Sequence, residues 1–331
     1  MELRLLGVAR VDALLAGVVE RCEAAFPARI RGYYVEGSYA SASGVATSDV
    51  DIVIIVKDRF AATDERECIA AICAECAAAS ALELDVTIED EAAIAGRATP
   101  DFKLGAWLIY GEDIRGRLVL PPIDVWTRDR MHTSYWRFIN LFGRPTPVDL
   151  PLAYPDPGAE FLGYTQRQVR RADGALADST RDLIRAVGWA ATGLIALTAG
   201  EYVASKRECH VVYARAVGDE WSTLLRDIYE RCRGEWMYLI PEAAADRQRL
   251  RAICARTLGF ENDFMTVYRE YVVRELRQPE EVAVLAVLNV LAEVPLRDTV
   301  VSAALDDLAR DAASAAVREC ARTALRQIRE R

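Results

Sequence analysis

The chain has 331 residues, a formal net charge of −9 and a pI near 5.1. That length exceeds one ordinary hydrophobic core and predicts two domains or a domain with an extension; 52% hydrophobic and 27% charged residues make a globular composition. The acidic balance argues against a nucleic-acid partner, which needs a basic footprint. No run of about 18 uncharged apolar residues occurs, so no membrane partner is expected. Eight scattered cysteines predict buried, reduced thiols and a cytoplasmic location. Cys73 and Cys76 form the single C-x-x-C, with no second pair and no nearby histidine, which disfavours zinc. With His132 and His210 alone, histidine-rich metal sites and Ser-His-Asp chemistry have little room.

In chain order, Val8, Val11, Leu14, Leu15, Val18, Val19 and Cys22 recur at helical spacing, with Arg10, Asp12 and Glu20 between them. This is an amphipathic helix and not a signal peptide. "RIRGYYVEGS" predicts a strand ending in Gly37-Ser38, and "DVDIVIIV" a second strand. "DERECIAAICAECAAAS" predicts a helix, "LELDVTIE" a strictly alternating third strand and "LGAWLIYGED" a fourth. Five prolines in 144–158 predict a linker or a non-helical crossover. Beyond residue 160 the pattern is almost wholly helical, with a buried helix ending near Gly200 and amphipathic helices in 218–236 and 261–277. The last fifty residues predict three similar helices, the final two loosely resembling a HEAT-type pair.

The chemistry gathers near the second strand. Alternation puts Asp49 and Asp51 on one face, about 6–7 Å apart along the backbone, with Val50 turned into the core. Two carboxylates there repel unless a cation lies between them or one is protonated. Magnesium fits, because it takes oxygen ligands and is shared between carboxylates and substrate phosphates. Upstream, Gly37 lets backbone approach a phosphate, and Ser38 with free N–H groups can cradle an anion. Glu83 and Asp85 share a face of the third strand, so Asp49, Asp51 and Asp85 can converge. The set describes a metal-requiring nucleoside-triphosphate site. It lacks G-x-x-x-x-G-K-[ST], so it is no P-loop, and G-x-G-x-x-G, so a dinucleotide fold loses its main support.

"EGSYASASGVATSDVDIVIIV" resembles the signature of the polymerase-β-type nucleotidyltransferase superfamily: apolar-Gly-Ser, a variable loop, then Asp-x-Asp on an apolar strand. The resemblance implies that Gly37 and Ser38 hold the triphosphate, that Ser48 also touches phosphate, and that Asp49 and Asp51 hold magnesium with Asp85 as third carboxylate. "ALELDVTIED", "LGAWLIYGEDIRG" and "LTAGEYVASKRECHVVYA" are similar to segments of bacterial aminoglycoside adenylyltransferases of the streptomycin/spectinomycin type. In those a glutamate is the general base where this chain has the shorter Asp85, so base and metal ligand both stand open; Lys206 would reach the triphosphate.

The implied fold is α+β: a nucleotidyltransferase domain with a small mixed sheet (1–128), a helical-bundle domain that closes on substrate and nucleotide (129–278), and a C-terminal helical extension (279–331). The implied activity is Mg²⁺-dependent transfer of AMP from ATP to a hydroxyl of a small molecule, a cationic aminoglycoside being the preferred acceptor. The alternatives are a nucleotide-binding regulatory protein of the same fold and a nucleotidyltransferase with a protein acceptor. Only about a dozen residues separate Glu89 from Phe102, fewer than in that family, so the acceptor pocket must come from elsewhere; Trp107, Trp126, Tyr135, Trp136 and Trp189 are the candidates.

Overall fold

The apolar positions repeated along the first helix become its buried face. Helix α1 (Ala9–Ala25) is followed by β1 (Ile30–Glu36), the one-turn α2 (Gly37–Ala40), β2 (Val50–Val56), α3 (Glu65–Ala78), β3 (Leu84–Asp90), α4 (Glu91–Arg97) and β4 (Trp107–Gly111). This computed structural model describes residues 3–329 except 63, 81, 172 and 173, and omits the side chains of Arg97 and Lys206.

The four strands form one sheet in the order β3-β2-β1-β4. β1 is antiparallel to β2 and β4, while β2 and β3 are parallel. A parallel pair needs a crossover, which α3 supplies. The even positions of β2, Val50 to Val56, pack against α1 and α3. Its odd positions Val53 and Ile55 face a second cluster with Tyr34, Phe102 and Leu108. A central strand covered on both faces reads as a continuous apolar run, and "IVIIV" is that run.

The rest of the chain is mainly helical: α5 (Ile123–Asn140), α6 (Arg181–Ala199), α7 (Lys206–Ala216), α8 (Ser222–Asp227) running into a π-helical stretch (Ile228–Glu235), α9 (Ala244–Glu275), α10 (Glu281–Glu293), α11 (Thr299–Asp311) and α12 (Ala315–Arg329). The whole is mixed α+β, 57% helical, with a small mixed sheet. α6 ends where Gly200 takes a left-handed φ of 66°, as a C-terminal glycine does. Among the described residues α6 is the one helix long and apolar enough to cross a membrane; its apolar side chains are packed against α5, α7 and α9. One apolar cluster runs from Met131 to Ile328, so α10–α12 share their core with the helices before them. All eight cysteines are free thiols, six of them buried.

Of the two readings of segment 144–158, linker or non-helical crossover, the structure has the crossover, packed against the core; one other stretch departs from expectation. Val148 and Leu152 are buried in the helical core, and Val148–Asp149 pairs in parallel with Leu296–Arg297. Arg144, itself buried, donates to Glu261 Oε2 at 2.6 Å and to the Phe138 carbonyl at 2.6 Å, and Tyr164 also donates to Glu261. The prolines remove helix donors, and this ion pair ties the resulting irregular chain to α9. Residues 168–178, expected within a helical region, contain a hairpin of Gln168–Arg170 and Leu176–Asp178. Alternation over three residues is too short to register as a strand against a helical background.

Candidate functional site

The start of β2 is where the sheet carries charge instead of core. Asp49 directly precedes the strand and Asp51 is its second residue; the odd face that buries Val53 and Ile55 further along presents carboxylates here. Parallel pairing sets Asp85 of β3 opposite Asp51. Antiparallel pairing sets Glu36, the last residue of β1, opposite Asp51 on its other side. Directly opposed residues share a face at close range, so acids from three strands form a row. Carboxylate oxygens of Asp49, Asp51 and Asp85 lie within 4.8 Å of one another. Asp49 and Asp51 are half-buried and Asp85 is exposed, so Asp85 is the member nearest solvent.

Three carboxylates this close carry unfavourable mutual repulsion that a divalent cation would relieve. The donor set, oxygen only, matches a hard ion such as magnesium or calcium. The surroundings fit as well. Gly37 has a φ of 64°, and a Cβ built there would overlap Asp51 Oδ2, so both backbone conformation and space require glycine. Ser38 Oγ is buried and has no hydrogen-bond partner among the described residues. A buried hydroxyl left unsatisfied costs free energy, and a bound oxyanion at this turn would satisfy it.

The loop from Ser38 to Asp49 is closed on itself and braced from the helical side. Ser43 N–H donates to the Ser38 carbonyl at 2.8 Å, and Ser41 Oγ lies 2.8 Å from Ser43 Oγ. Ser48 is buried and its Oγ accepts from Val45 N–H at 3.0 Å, so this hydroxyl shapes the loop. Arg233 donates to the Ser43 carbonyl at 2.7 Å and Arg207 to the Ser41 carbonyl at 3.1 Å. The latter brings the first turn of α7 against the loop. The Lys206 side chain lies outside the described residues.

The chain matches no protein-family model, and no curated protein is similar to it at a significant level. The site therefore rests on its own geometry.

Two participants escaped the sequence reading. Arg181, the first residue of α6, is buried and donates from Nη1 to Asp49 Oδ2 at 3.2 Å and to Glu83 Oε2 at 3.0 Å, and from Nη2 to the Thr47 carbonyl. It joins the helical part to the carboxylates, and its guanidinium lies 5.3 Å from the Tyr238 ring centre. Glu83 is engaged by Arg181 and, at 3.4 Å, by Arg167, so it is a bracing residue beside the triad and not part of it. Glu36 is the other. Its only sequence signal was an acid just before Gly-Ser at the end of an apolar strand. Nothing in the sequence around Arg181 distinguishes it from the other arginines of the helical region.

Of the five candidate aromatics, two line a cavity near the carboxylates: Trp126 and Trp189. Tyr135 is wholly buried, stacked on Tyr268 with centroids 4.6 Å apart, and donates to the Val294 carbonyl. Trp136 donates to Glu293 at 2.7 Å on the protein's exterior, and Trp107 is half-exposed on the edge strand β4. Neither lines that cavity. The sequence marked these aromatics as candidates but not which way each one faced.

Proposed function

We propose that this protein is a metal-dependent nucleotidyltransferase of the polymerase-β type, moving AMP from ATP onto a hydroxyl of a small molecule with release of pyrophosphate. The observation that carries the reading is the convergence of Asp49, Asp51 and Asp85 within 4.8 Å, beside a Gly37-Ser38 turn whose hydroxyl has no partner among the described residues. In this reading residues 1–128 act as the catalytic domain and the helices after them close on it through Arg181, Arg207 and Arg233.

Asp49 and Asp51 would hold magnesium, which when bound supplies neutralisation of triphosphate charge. Ser38 donates its free hydroxyl to a phosphate oxygen. The loop braced by Arg207 and Arg233 keeps that turn in place. By the family resemblance, Lys206 would add a charge toward the leaving pyrophosphate. Asp85, the exposed carboxylate, faces the acceptor and takes the proton from its hydroxyl. The acceptor oxygen then forms a bond to the α-phosphorus as the bond from that phosphorus to the β-bridging oxygen breaks, and pyrophosphate leaves with the electron pair.

The test is pyrophosphate release from ATP, GTP, CTP and UTP with Mg²⁺ against a panel of hydroxyl acceptors, for the native protein and for Asp49→Asn and Asp51→Asn. Both variants should keep the circular dichroism of the native fold and lose transfer by roughly 100-fold or more. Retained activity in either would overturn the metal assignment. Tight metal-dependent nucleotide binding with no turnover on any acceptor would make the protein a nucleotide-binding regulator instead.

A further inference from the structure

Between α5, α6, α7 and the π-helical stretch lies a cavity of about 60 Å³. It adjoins the carboxylate site through two of its wall residues. Tyr238 sits beneath Arg181, which holds Asp49, and Arg233 donates to the Ser43 carbonyl of the Gly-Ser loop. The wall is basic and aromatic: Arg130, Arg185 and Arg233 against the single acid Asp101, with Trp126 and Trp189.

The arginines around Trp189 are poorly matched by acids. Arg130 is buried with its guanidinium sandwiched, 3.9 Å from the Trp126 ring centre and 3.7 Å from that of Trp189; its carboxylate partner is the exposed Asp129. Arg137 covers Trp189 at 4.2 Å, and neither Arg137 nor Arg185 makes an ion pair among the described residues. Burial, with the charges of Arg185 and Arg130 added, pushes Arg137 down to about 10. Trp126 is buried, and its Nε1 has no hydrogen-bond partner among the described residues. A buried arginine whose one carboxylate partner is solvent-exposed gains from a further anion on its cavity side. Guanidinium planes stacked on indoles favour a flat, anionic guest. Ammonium groups would meet the same cations as repulsion.

We propose, resting on the nucleotidyl-transfer reading above, that the acceptor is a hydroxyl compound with an anionic group on a flat ring, and not a polycationic amino-sugar. Its hydroxyl loses a proton to Asp85 and gains the α-phosphorus, while its carboxylate or phosphate lies among Arg130, Arg185 and Arg233.

The experiment is isothermal titration calorimetry of the full chain with Mg²⁺ and a non-hydrolysable ATP analogue present, using 4-hydroxybenzoate, phenyl phosphate and kanamycin as probes. The first two separate carboxylate from phosphate recognition. At least one should bind, kanamycin should not, and Arg185→Gln should weaken the bound anion about tenfold. Arg185→Lys should recover part of that loss. Kanamycin binding more tightly than both anions, or an Arg185→Gln variant with native affinity, would overturn the proposal. So would displacement of the anion by saturating ATP analogue, which would make the cavity the nucleotide's own. These readouts need no turnover. Failure of the transfer reading would show separately, as loss of the Asp49- and Asp51-dependent nucleotide binding while the cavity still takes the anion, and that outcome removes the acceptor role as well.

Discussion

Replacing Gly37 by alanine tests the site through a single methyl group. Gly37 has a φ of 64°, and an L-residue in that region costs about 1–2 kcal/mol. For a chain of this size that is a loss of roughly 1.5–3 °C in Tm. The second consequence is local. The new Cβ would lie under 3.0 Å from Asp51 Oδ2 and must part from it to at least 3.4 Å for ordinary contact. The carboxylate must therefore move by roughly 0.5–1 Å, and octahedral coordination at about 2.1 Å leaves no such latitude. A displacement of that size at reacting groups costs about 100-fold in rate. Gly37→Asn separates the two effects. Asparagine tolerates the left-handed region, so Tm should fall less than for alanine, while the Cβ still displaces Asp51 and transfer stays low. The assays are thermal unfolding and metal-dependent pyrophosphate release, run on native protein, Gly37→Ala and Gly37→Asn. An alanine variant with native kcat/KM and native metal dependence would refute the claim that Asp51 must occupy this position.

Arg181→Met removes a buried cation from Asp49 while keeping much of its volume; stability should drop by about 2 kcal/mol in urea unfolding, and Mn²⁺ should bind several-fold more tightly in calorimetry, because a competing positive charge is gone. Weaker Mn²⁺ binding would show that Arg181 positions Asp49 for the metal more than it competes with it. Glu261→Gln leaves Arg144 buried with half a partner, which should cost about 3–5 kcal/mol in denaturant unfolding; nucleotide affinity of the folded variant should match the native value, and a change there would connect the crossover to the site. His132 is buried with Nδ1 2.9 Å from the Tyr268 hydroxyl, and burial, with the nearby Arg128 charge, pushes it down to about 4. The unfolded chain binds that proton near pH 6.5. The contribution of neutral His132 is therefore complete above about pH 6.5 and is lost as pH falls toward 4, up to about 3 kcal/mol. Urea midpoints at pH 7 and pH 4.5 for native protein and His132→Gln should diverge by part of that amount, and parallel curves would exclude this histidine.

Local patterns in the sequence account for much of this protein. Local pattern placed α1, the four strands of the sheet and the three final helices, because each shows in a single stretch of chain a buried face of period 3.6 or 2 or, for β2, a continuous apolar run. The carboxylates Asp49, Asp51 and Asp85 were readable for the same reason: charge interrupting an apolar strand is a local anomaly, and alternation decides which residues share a face. What only the tertiary structure decided depends on partners distant in sequence. The register of β2 on β3 and β1 set Asp85 and Glu36 on either side of Asp51, and no strand contains the register of its neighbours. Arg181 reaches Asp49 across 132 residues, and Arg144 pins a proline-rich stretch to Glu261 across 117. A lone arginine has no periodic signature, so its role exists only once the chain has folded around it. The sign of the cavity is of the same kind. The net charge is −9, yet packing α5 against α6 concentrates arginines over two tryptophans, because total charge says nothing about which side chains converge.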